Sequence, residues 1–229
     1  MIINAEHEKK LAAKEAVKLI RQGQVVGLGT GSTAYFAILE IADMIRNGLQ
    51  IKAVPTSVRS RELAEQLNIP LIDIHTIDSI DITIDGADEF TRELNLIKGG
   101  GGALLREKVV AAMTREQIII ADSAKKVDKL GKFHLPVEVI PFAASYVMNR
   151  LRDLKGAGTI RQKDGSPFLT DQGNFIIDTD FGIIDEPAKL AEKLDEIVGL
   201  VEHGLFINLA HKVIMGQGDK TVIFNKPGF

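Results

Sequence analysis

Short apolar runs alternate with amphipathic segments through the first 130 residues, and this alternation constrains the fold more than any other feature. Each run is rich in Ile, Val and Leu, as expected of a strand that is buried on both faces. Strands that alternate with helices form a parallel sheet with helices packed on both sides. The predicted strands are 25–28, 51–54, 71–74, 80–84 and 118–121, and the predicted helices are 6–22, 34–46, 57–67 and 103–114.

The order of predicted elements changes after about residue 130, where it becomes β-α-β-β-α-β. This order is the split unit of ferredoxin-like domains, so it indicates a second, α+β domain. Its predicted elements are strands 137–140, 159–162 and 200–206, hairpin segments 168–170 and 174–178, and helices 142–154 and 187–198. We expect the runs 212–215 and 221–224 to pair as a hairpin and to return to the first sheet. The predicted domains are therefore 1–130 plus about 207–229, and about 131–206.

Composition excludes several classes of protein. The formal net charge of the 229 residues is −3 and no basic block occurs, which disfavours nucleic acid as the main partner. Cysteine is absent, which removes disulfides, thiolate nucleophiles and cysteine-ligated metals and fits a cytoplasmic protein. The stretch 1–10 has no apolar signal core, and no apolar run approaches the roughly 20 residues of a membrane span. We therefore expect a soluble protein.

The first candidate binding loop is Gly29-Thr30-Gly31-Ser32-Thr33, between a predicted strand and a predicted helix. Backbone N–H groups and the positive end of the helix favour an anion, and the hydroxyls of Ser32 and Thr33 add donors. The loop predicts a phosphate or carboxylate site, with a tight turn capped by Ser or Thr as the alternative.

The same loop also fits the looser dinucleotide fingerprint, as Gly29-x-Gly31-x-x-Ala34. A nicotinamide site needs an acid near the end of the second strand, to hold the ribose hydroxyl. The strand ends here at Val54-Pro55-Thr56-Ser57, which contains no carboxylate. Arg59 and Arg61 suit a 2′-phosphate, so a phosphorylated nicotinamide cofactor stays an alternative.

The second candidate is Asp85-Gly86-Ala87-Asp88-Glu89, directly after predicted strand 80–84. Ligands of parallel sheets bind at the carboxyl ends of the strands, where two carboxylates suit sugar hydroxyls or proton transfer between oxygens. An ordinary Asx turn is an equal alternative. A divalent metal is a third reading, although the five histidines form no H-x-H or H-x-x-x-H pair.

The third candidate is Lys98, followed by Gly99-Gly100-Gly101-Gly102 and, at the start of the next helix, Glu107. Four consecutive glycines cost backbone entropy, and close approach to a ligand is the natural compensation. Lys98 would face an oxyanion as a point charge, while Glu107 taken alone is first interpreted as an acid placed favourably against the helix dipole. Farther on, Lys125 follows a strand and suits a phosphate, with a solvated lysine as the alternative, and His134 is expected to be structural.

Together these motifs resemble the three glycine-rich and acidic loops of type A ribose-5-phosphate isomerases. The tracts Ile120-Ala121-Asp122-Ser123 and Leu130-Gly131-Lys132-Phe133 resemble that family too, and the likeness runs in order over nearly the whole chain. The resemblance implies an α/β fold, in which a Rossmann-like parallel-sheet domain carries an inserted ferredoxin-like α+β domain. It also implies interconversion of ribose 5-phosphate and ribulose 5-phosphate in the cytoplasmic pentose phosphate pathway. The expected enzyme uses no cofactor and no metal, and it is a homo-oligomer, either a dimer or a tetramer.

The resemblance also implies a role for each matching residue. Glu107 is the base that carries a proton between two carbons, Lys98 stabilises the oxyanion, and Asp85 assists ring opening. Asp88 positions hydroxyls. The expected substrate-binding residues are Thr30, Gly31, Ser32, Thr33, Asp85, Gly86, Ala87, Asp88, Lys98, Gly99, Gly100, Gly101 and Lys125.

Two other functions compete with this expectation. A sugar-phosphate sensor would use the same scaffold without turnover, but it would need no pair of Lys98 and Glu107. An oxidoreductase that uses a phosphorylated nicotinamide is disfavoured by the missing acid and by the four glycines.

Overall fold

The computed structural model describes residues 4–226, so the first three residues of predicted range 1–130 and the last three of range 207–229 lie outside it. The described chain contains six α-helices: α1 (Ala5–Val17), α2 (Ser32–Arg46), α3 (Val58–Gln66), α4 (Leu104–Ala112), α5 (Ala144–Asp153) and α6 (Pro187–Asp195). The strands of the first half are β1 (Val25–Leu28), β2 (Lys52–Pro55), β3 (Ile80–Gly86), β4 (Glu89–Phe90), β5 (Leu96–Ile97) and β6 (Thr114–Asp122). The strands of the second half are β7 (Leu135–Val139), β8 (Ala157–Ile160), β9 (Gln162–Lys163), β10 (Ser166–Pro167), β11 (Phe175–Asp180), β12 (Leu200–His203), β13 (Leu205–Phe206), β14 (Lys212–Gln217) and β15 (Lys220–Asn225).

The main sheet has six strands in the order β15-β14-β6-β3-β1-β2. All neighbours in it are parallel except β14 and β15, which form the predicted antiparallel hairpin and extend the first sheet as expected. Within β6, Ile118 and Ile120 pack with helices α1 and α2 on one face, while Ile119 and Ala121 pack with Phe90 on the other. Both faces are buried, which explains why the strands read as continuous apolar runs.

A second sheet of four antiparallel strands has the order β12-β7-β11-β8. In chain order its elements are β7, α5, β8, β11, α6 and β12, which is the expected β-α-β-β-α-β unit. Val137 and Val139 of β7 and Ile177 of β11 form one core with Val147 and Leu194 of the two helices. The predicted fold class, a Rossmann-like parallel sheet with a ferredoxin-like α+β unit, is confirmed, while the domain boundaries near residues 131 and 207 stay a prediction.

Two predicted strands were wrong. In place of strand 71–74, Leu71 makes a single bridge to Ala53, and a 3-10 turn follows at Ile74–Thr76. The Asp73 carboxylate accepts a hydrogen bond from His75 N at 3.0 Å, and this cap starts the turn. Predicted hairpin strand 168–170 is also absent, because Thr170 N donates to Asn174 O and closes a turn there.

The predicted strand 200–206 is divided between two sheets. Its first part, β12, pairs with β7, and its second part, β13, pairs with β5 in a small three-stranded sheet with β4. Gly204 lies at the crossing, where its N–H donates to Pro136 O and its carbonyl accepts from Lys98 N. A β-carbon at this position would lie 2.3 Å from Lys98 O, so only glycine fits. Within residues 4–226 no helix combines the length and the apolar character needed to cross a bilayer.

Candidate active site

The predicted loops meet at the carboxyl edge of the main sheet. The loop that begins at Gly29 follows β1, Asp85 and Gly86 end β3, and Asp122 ends β6. These three strands are neighbours in the parallel sheet, so their ends lie side by side. The carboxyl edge is where ligands of parallel α/β sheets bind.

A buried ammonium between two buried carboxylates forms the centre of the site. Lys98 Nζ lies 3.0 Å from Asp85 Oδ2 and 3.0 Å from Glu107 Oε1. It also donates a hydrogen bond to the carbonyl of Gly86. Lys98 is 2% exposed, Asp85 1% and Glu107 5%, so water screens these charges very little. Such a group of charges costs several kcal/mol per ion to desolvate and is retained here at a sheet edge where ligands bind.

Burial and neighbouring charge shift both titratable partners. Burial raises the pKa of Glu107 to about 8, and the charges of Asp85 and Asp88 add to the rise against the opposing effect of Lys98. Burial alone lowers the pKa of Lys98, but the carboxylates of Asp85 and Glu107 outweigh it and raise that pKa above its ordinary value. The ammonium therefore keeps its proton, while Glu107 can gain or lose one near neutral pH.

Asp85 is held by the backbone of the first loop. Its Oδ1 accepts hydrogen bonds from Thr30 N at 2.9 Å and from Gly86 N at 2.7 Å. A β-carbon on Gly29 would lie 2.2 Å from Asp85 Oδ1, which explains why glycine stands at that position. Asp85 is thus fixed between two backbone donors and the Lys98 ammonium.

The four-glycine segment forms a turn beside Lys98. Gly102 N donates to Gly99 O at 3.0 Å and closes the turn, and Gly100 N donates to Asp88 Oδ2 at 2.8 Å. Gly99 and Gly102 have φ values of 103° and 81°, which L side chains rarely adopt. The turn leads directly into α4, whose first turn carries Glu107.

The side chain of Thr30 belongs to a cluster of hydroxyls behind the first loop. Its Oγ1 lies 2.8 Å from Thr56 Oγ1 and 2.9 Å from Ser57 Oγ, and Ser60 Oγ donates to Gly29 O at 2.7 Å. The Thr30 hydroxyl is therefore engaged inside the protein, although the residue lines the cavity described next.

A cavity of about 100 Å³ collects the predicted site residues. Of these, only Asp85 is absent from its lining, because it lies behind Lys98 and Gly86. The predicted residues that line the cavity are Thr30, Gly31, Ser32, Thr33, Gly86, Ala87, Asp88, Lys98, Gly99, Gly100, Gly101, Glu107 and Lys125.

Lys9 also lines this cavity, although no sequence pattern marks it as a site residue. It lies on α1, and its Nζ donates to Ser32 Oγ at 2.9 Å and is 3.9 Å from Asp122 Oδ2. A lysine on an amphipathic N-terminal helix has the pattern of an ordinary surface residue, so only the tertiary packing of α1 places it at the site.

Other candidates lie elsewhere. His134 is exposed, 3.7 Å from Asp180, as expected of a residue outside the site. Arg59 lines an adjoining cavity, which shares Thr30, Gly31 and Ser32 with this one, and Arg61 lines a third cavity that shares no residue with it. The two arginines therefore do not converge on one position for a 2′-phosphate, as the nicotinamide alternative would need.

The acids of the second motif do not converge as metal ligands. Asp85 pairs with Lys98, Asp88 accepts from Gly100 N, and Glu89 accepts from Gly131 N at 2.8 Å. In the described part of the chain, Asp195, Glu202 and His203 form the one group of acids and histidine with ligand atoms within 4.8 Å of one another. The Lys108 ammonium donates to Glu202 and to His203 O within that group, and its positive charge disfavours a cation there.

The comparison with known proteins agrees with this geometry. The family model of ribose 5-phosphate isomerase A (phosphoriboisomerase A) matches residues 52–220. The chain is 47% identical to ribose-5-phosphate isomerase A of Sphingopyxis alaskensis over 216 residues, covering 94% of this chain and 95% of the relative. It is 51% identical to that of Streptococcus gordonii over 211 residues, covering 92% and 94%.

Solved structures match over nearly the whole length. A D-ribose-5-phosphate isomerase in complex with phospho-erythronic acid superposes with a TM-score of 0.95 at 38% identity, covering 97% of this chain and 100% of that one. Ribose 5-phosphate isomerase A of Methanocaldococcus jannaschii superposes with a TM-score of 0.91 at 42% identity, covering 95% and 98%. The chain therefore belongs to the ribose-5-phosphate isomerase A family.

Proposed function

We propose that this protein is an aldose–ketose isomerase that interconverts D-ribose 5-phosphate and D-ribulose 5-phosphate in the pentose phosphate pathway. The observation that supports it most strongly is the buried set of Lys98, Glu107 and Asp85 beside an anion-binding loop. A protein that only bound a phosphosugar would have no use for a buried base with a raised pKa next to a fixed ammonium.

Glu107 is the proposed base. Moving a carbonyl from C1 to C2 requires removal of the proton on C2 and its return to C1, by way of an enediolate. A base works best when its pKa lies near the operating pH, and burial raises the pKa of Glu107 to about 8. Glu107 lines the cavity, so its carboxylate is available to a substrate there.

Lys98 and the glycine turn are the proposed stabilisers of the enediolate oxygen. The ammonium stays charged because two carboxylates raise its pKa, and it lines the same cavity as Gly99, Gly100 and Gly101. Fixed donors in a site that excludes water stabilise developing negative charge more strongly than water does.

Asp85 and Asp88 have different proposed tasks. Asp88 lines the cavity and is placed for the hydroxyls of the sugar. Asp85 assists ring opening and proton movement, and because its carboxylate is enclosed by Thr30 N, Gly86 N and Lys98, it acts on the substrate through the Lys98 ammonium.

The phosphate has a proposed place at the start of α2. Gly31 precedes that helix, and Ser32 and Thr33 begin it, so the N–H groups of its first turn and two hydroxyls can receive an anion. Lys9 and Lys125 line the same cavity and supply positive charge. One solved relative holds phospho-erythronic acid, and we propose that this cavity takes the same acid.

We also propose that the reaction uses neither a metal nor a nucleotide cofactor, that the enzyme is a cytoplasmic homo-oligomer, and that residues about 131–206 form a domain inserted between 1–130 and 207–229. The proposal needs no metal because Lys98 already supplies a fixed positive charge at the place where negative charge develops.

The test is formation of ketopentose from ribose 5-phosphate by the purified protein, with a chelator present throughout. We expect turnover that the chelator leaves unchanged, and no turnover of unphosphorylated ribose at the same concentration. Tight binding of ribose 5-phosphate without any turnover would favour the sensor instead. Activity that is lost with chelator and restored by a divalent ion would overturn the metal-free mechanism.

A further inference from the structure

Arg161 follows β8 in the four-stranded sheet and contacts the glycine turn of the active site. Its Nη1 donates to the carbonyl oxygens of Gly99 at 3.1 Å and of Gly100 at 3.0 Å. Its Nε donates to Asp178 Oδ2 at 2.8 Å, and its Nη2 donates to the other oxygen of the same carboxylate. One edge of the guanidinium is thus fixed by Asp178 while a nitrogen on the other side holds two consecutive carbonyls of the turn.

These two contacts fix the direction of two N–H groups. No peptide bond in residues 4–226 is cis, and in a trans peptide the C=O and the following N–H point in opposite directions. The Gly99 carbonyl faces Arg161, and the N–H of the same peptide, on Gly100, accordingly reaches Asp88 Oδ2 on the opposite side at 2.8 Å.

The next peptide is arranged in the same way. The Gly100 carbonyl faces Arg161, so the N–H of Gly101 is directed away from Arg161. Gly101 is exposed and lines the cavity together with Lys98 and Glu107. Within residues 4–226 no protein acceptor is bonded to that N–H, which leaves it free for a ligand.

We propose that Arg161 is a positioning residue for the isomerase reaction, which anchors the glycine turn so that the N–H of Gly101 faces the enediolate oxygen beside Lys98. This inference rests on the proposed function. It gives the four-stranded unit a part in the reaction, through a side chain that positions the turn and touches no substrate.

The surroundings of Arg161 favour one fixed geometry. Its guanidinium carbon lies 5.8 Å from the centre of the Phe168 ring, and a β-carbon on Gly102 would lie 2.5 Å from Phe168 Cε1. Phe168 therefore packs against the end of the turn while Arg161 holds its first two peptides. A lysine at 161 would keep the charge but has no planar fork to hold Asp178 and both carbonyls together.

The experiment compares Arg161→Ala and Arg161→Lys with the wild type, and Arg150→Ala serves as the matched control. Arg150 lies on α5 of the same unit, and within residues 4–226 its guanidinium donates only to the exposed Asp153, at 2.8 Å. Thermal unfolding first establishes that each variant is folded. If Arg161→Ala does not fold, Arg161→Lys carries the test. Turnover of ribose 5-phosphate is then measured together with the affinities for phospho-erythronic acid and for inorganic phosphate.

We expect kcat to fall about 10- to 100-fold in Arg161→Ala, with KM changed less than about threefold. Loss of a whole oxyanion donor typically lowers kcat by about 10²–10³, and the variant misplaces the Gly101 N–H without removing it. Affinity for phospho-erythronic acid, whose planar carboxylate resembles the enediolate, should fall by a similar factor. Affinity for inorganic phosphate should stay within about twofold. In Arg161→Lys, the fall in log kcat should be at least half of the fall in Arg161→Ala, because lysine cannot hold Asp178 and both carbonyls together.

Three results would overturn the inference: kcat of folded Arg161 variants within about twofold of wild type, an equal loss in Arg150→Ala, or equal losses of affinity for the acid and for phosphate. Each of them presumes an active wild type. Absence of turnover in the wild type would refute the proposed function instead, so the two failures are distinct.

Discussion

The ammonium of Lys98 holds together two carboxylates that would otherwise repel each other inside the protein. Asp85 is bonded to two backbone N–H groups as well, whereas the carboxylate of Glu107 has Lys98 as its one hydrogen-bond donor in the described structure. Burial is the largest effect on the Glu107 carboxyl, and it raises the pKa of this group. At the scale of single residues, the site therefore places Asp85, held by two backbone N–H groups and Lys98, beside a carboxyl group that can exchange its proton.

The raised pKa of Glu107 predicts a pH-dependent stability. The folded protein binds this proton more tightly than the unfolded chain, in which the pKa of a Glu side chain is 4.5. The stability linked to Glu107 is therefore fully present below about pH 4.5 and is lost as the pH rises towards 8. Glu107→Gln removes this titration. We expect the melting temperature of the variant, relative to wild type, to increase between about pH 5 and pH 8 and then to level off.

The measurement is thermal unfolding of both proteins at one-unit steps from pH 5 to pH 9, with Glu93→Gln as control. Glu93 is exposed in the turn before β5 and lies outside the site, so its variant serves as a Glu-to-Gln change at the surface. A constant difference between Glu107→Gln and wild type across this range would show that the Glu107 pKa is not raised.

At the scale of elements, the loops between strands and helices carry most of the candidate site, and the loops predicted from the sequence meet around one cavity. The runs that became β1, β3 and β6 are buried on both faces, so their apolar composition located them directly. The first glycine motif and the acidic motif lie at or directly after the ends of these strands, so the strand prediction also placed both motifs at the carboxyl edge of the sheet. The prediction of strand 71–74 was wrong because an apolar run at the edge of the sheet can be buried by packing without pairing as a strand. Leu71 packs against the core and alone makes a bridge there.

The glycine turn allows a prediction that separates folding from activity. Gly102→Ala places a side chain at a φ of 81° and within 2.5 Å of Phe168, so we expect a loss of more than about 1 kcal/mol in stability. Gly101→Ala meets Thr30 Cγ2 at 3.6 Å, an ordinary contact, so the fold should be nearly unchanged. The added methyl group enters the cavity, and kcat/KM should fall about tenfold or more, since a displacement of about 1 Å can cost about 10² in rate.

Urea unfolding and steady-state kinetics of both variants check this pair. Equal losses of stability in Gly101→Ala and Gly102→Ala would contradict the described turn. Unchanged kinetics in a stable Gly101→Ala variant would show that Gly101 does not face the substrate.

At the scale of the whole molecule, the site is completed by groups that lie far apart in sequence. Lys9 comes from α1, and Arg161 holds the turn at Gly99 and Gly100 from the four-stranded sheet. Asp171 of that unit also accepts a hydrogen bond from Val58 N at 2.8 Å. No local pattern predicts such contacts, because they depend on how the two sheets pack together. The sequence therefore locates the loops of the candidate site but not the residues that support them from a distance.

The turnover of Glu107→Gln with ribose 5-phosphate tests the central claim most directly, because it removes the proposed base and leaves the phosphate site intact. We expect kcat to fall at least about a hundredfold, since general base catalysis contributes typically about 10²–10⁴. The variant should stay folded and bind inorganic phosphate as the wild type does. Near-normal turnover of this variant would contradict the assignment of Glu107 as the group that carries the proton between C2 and C1.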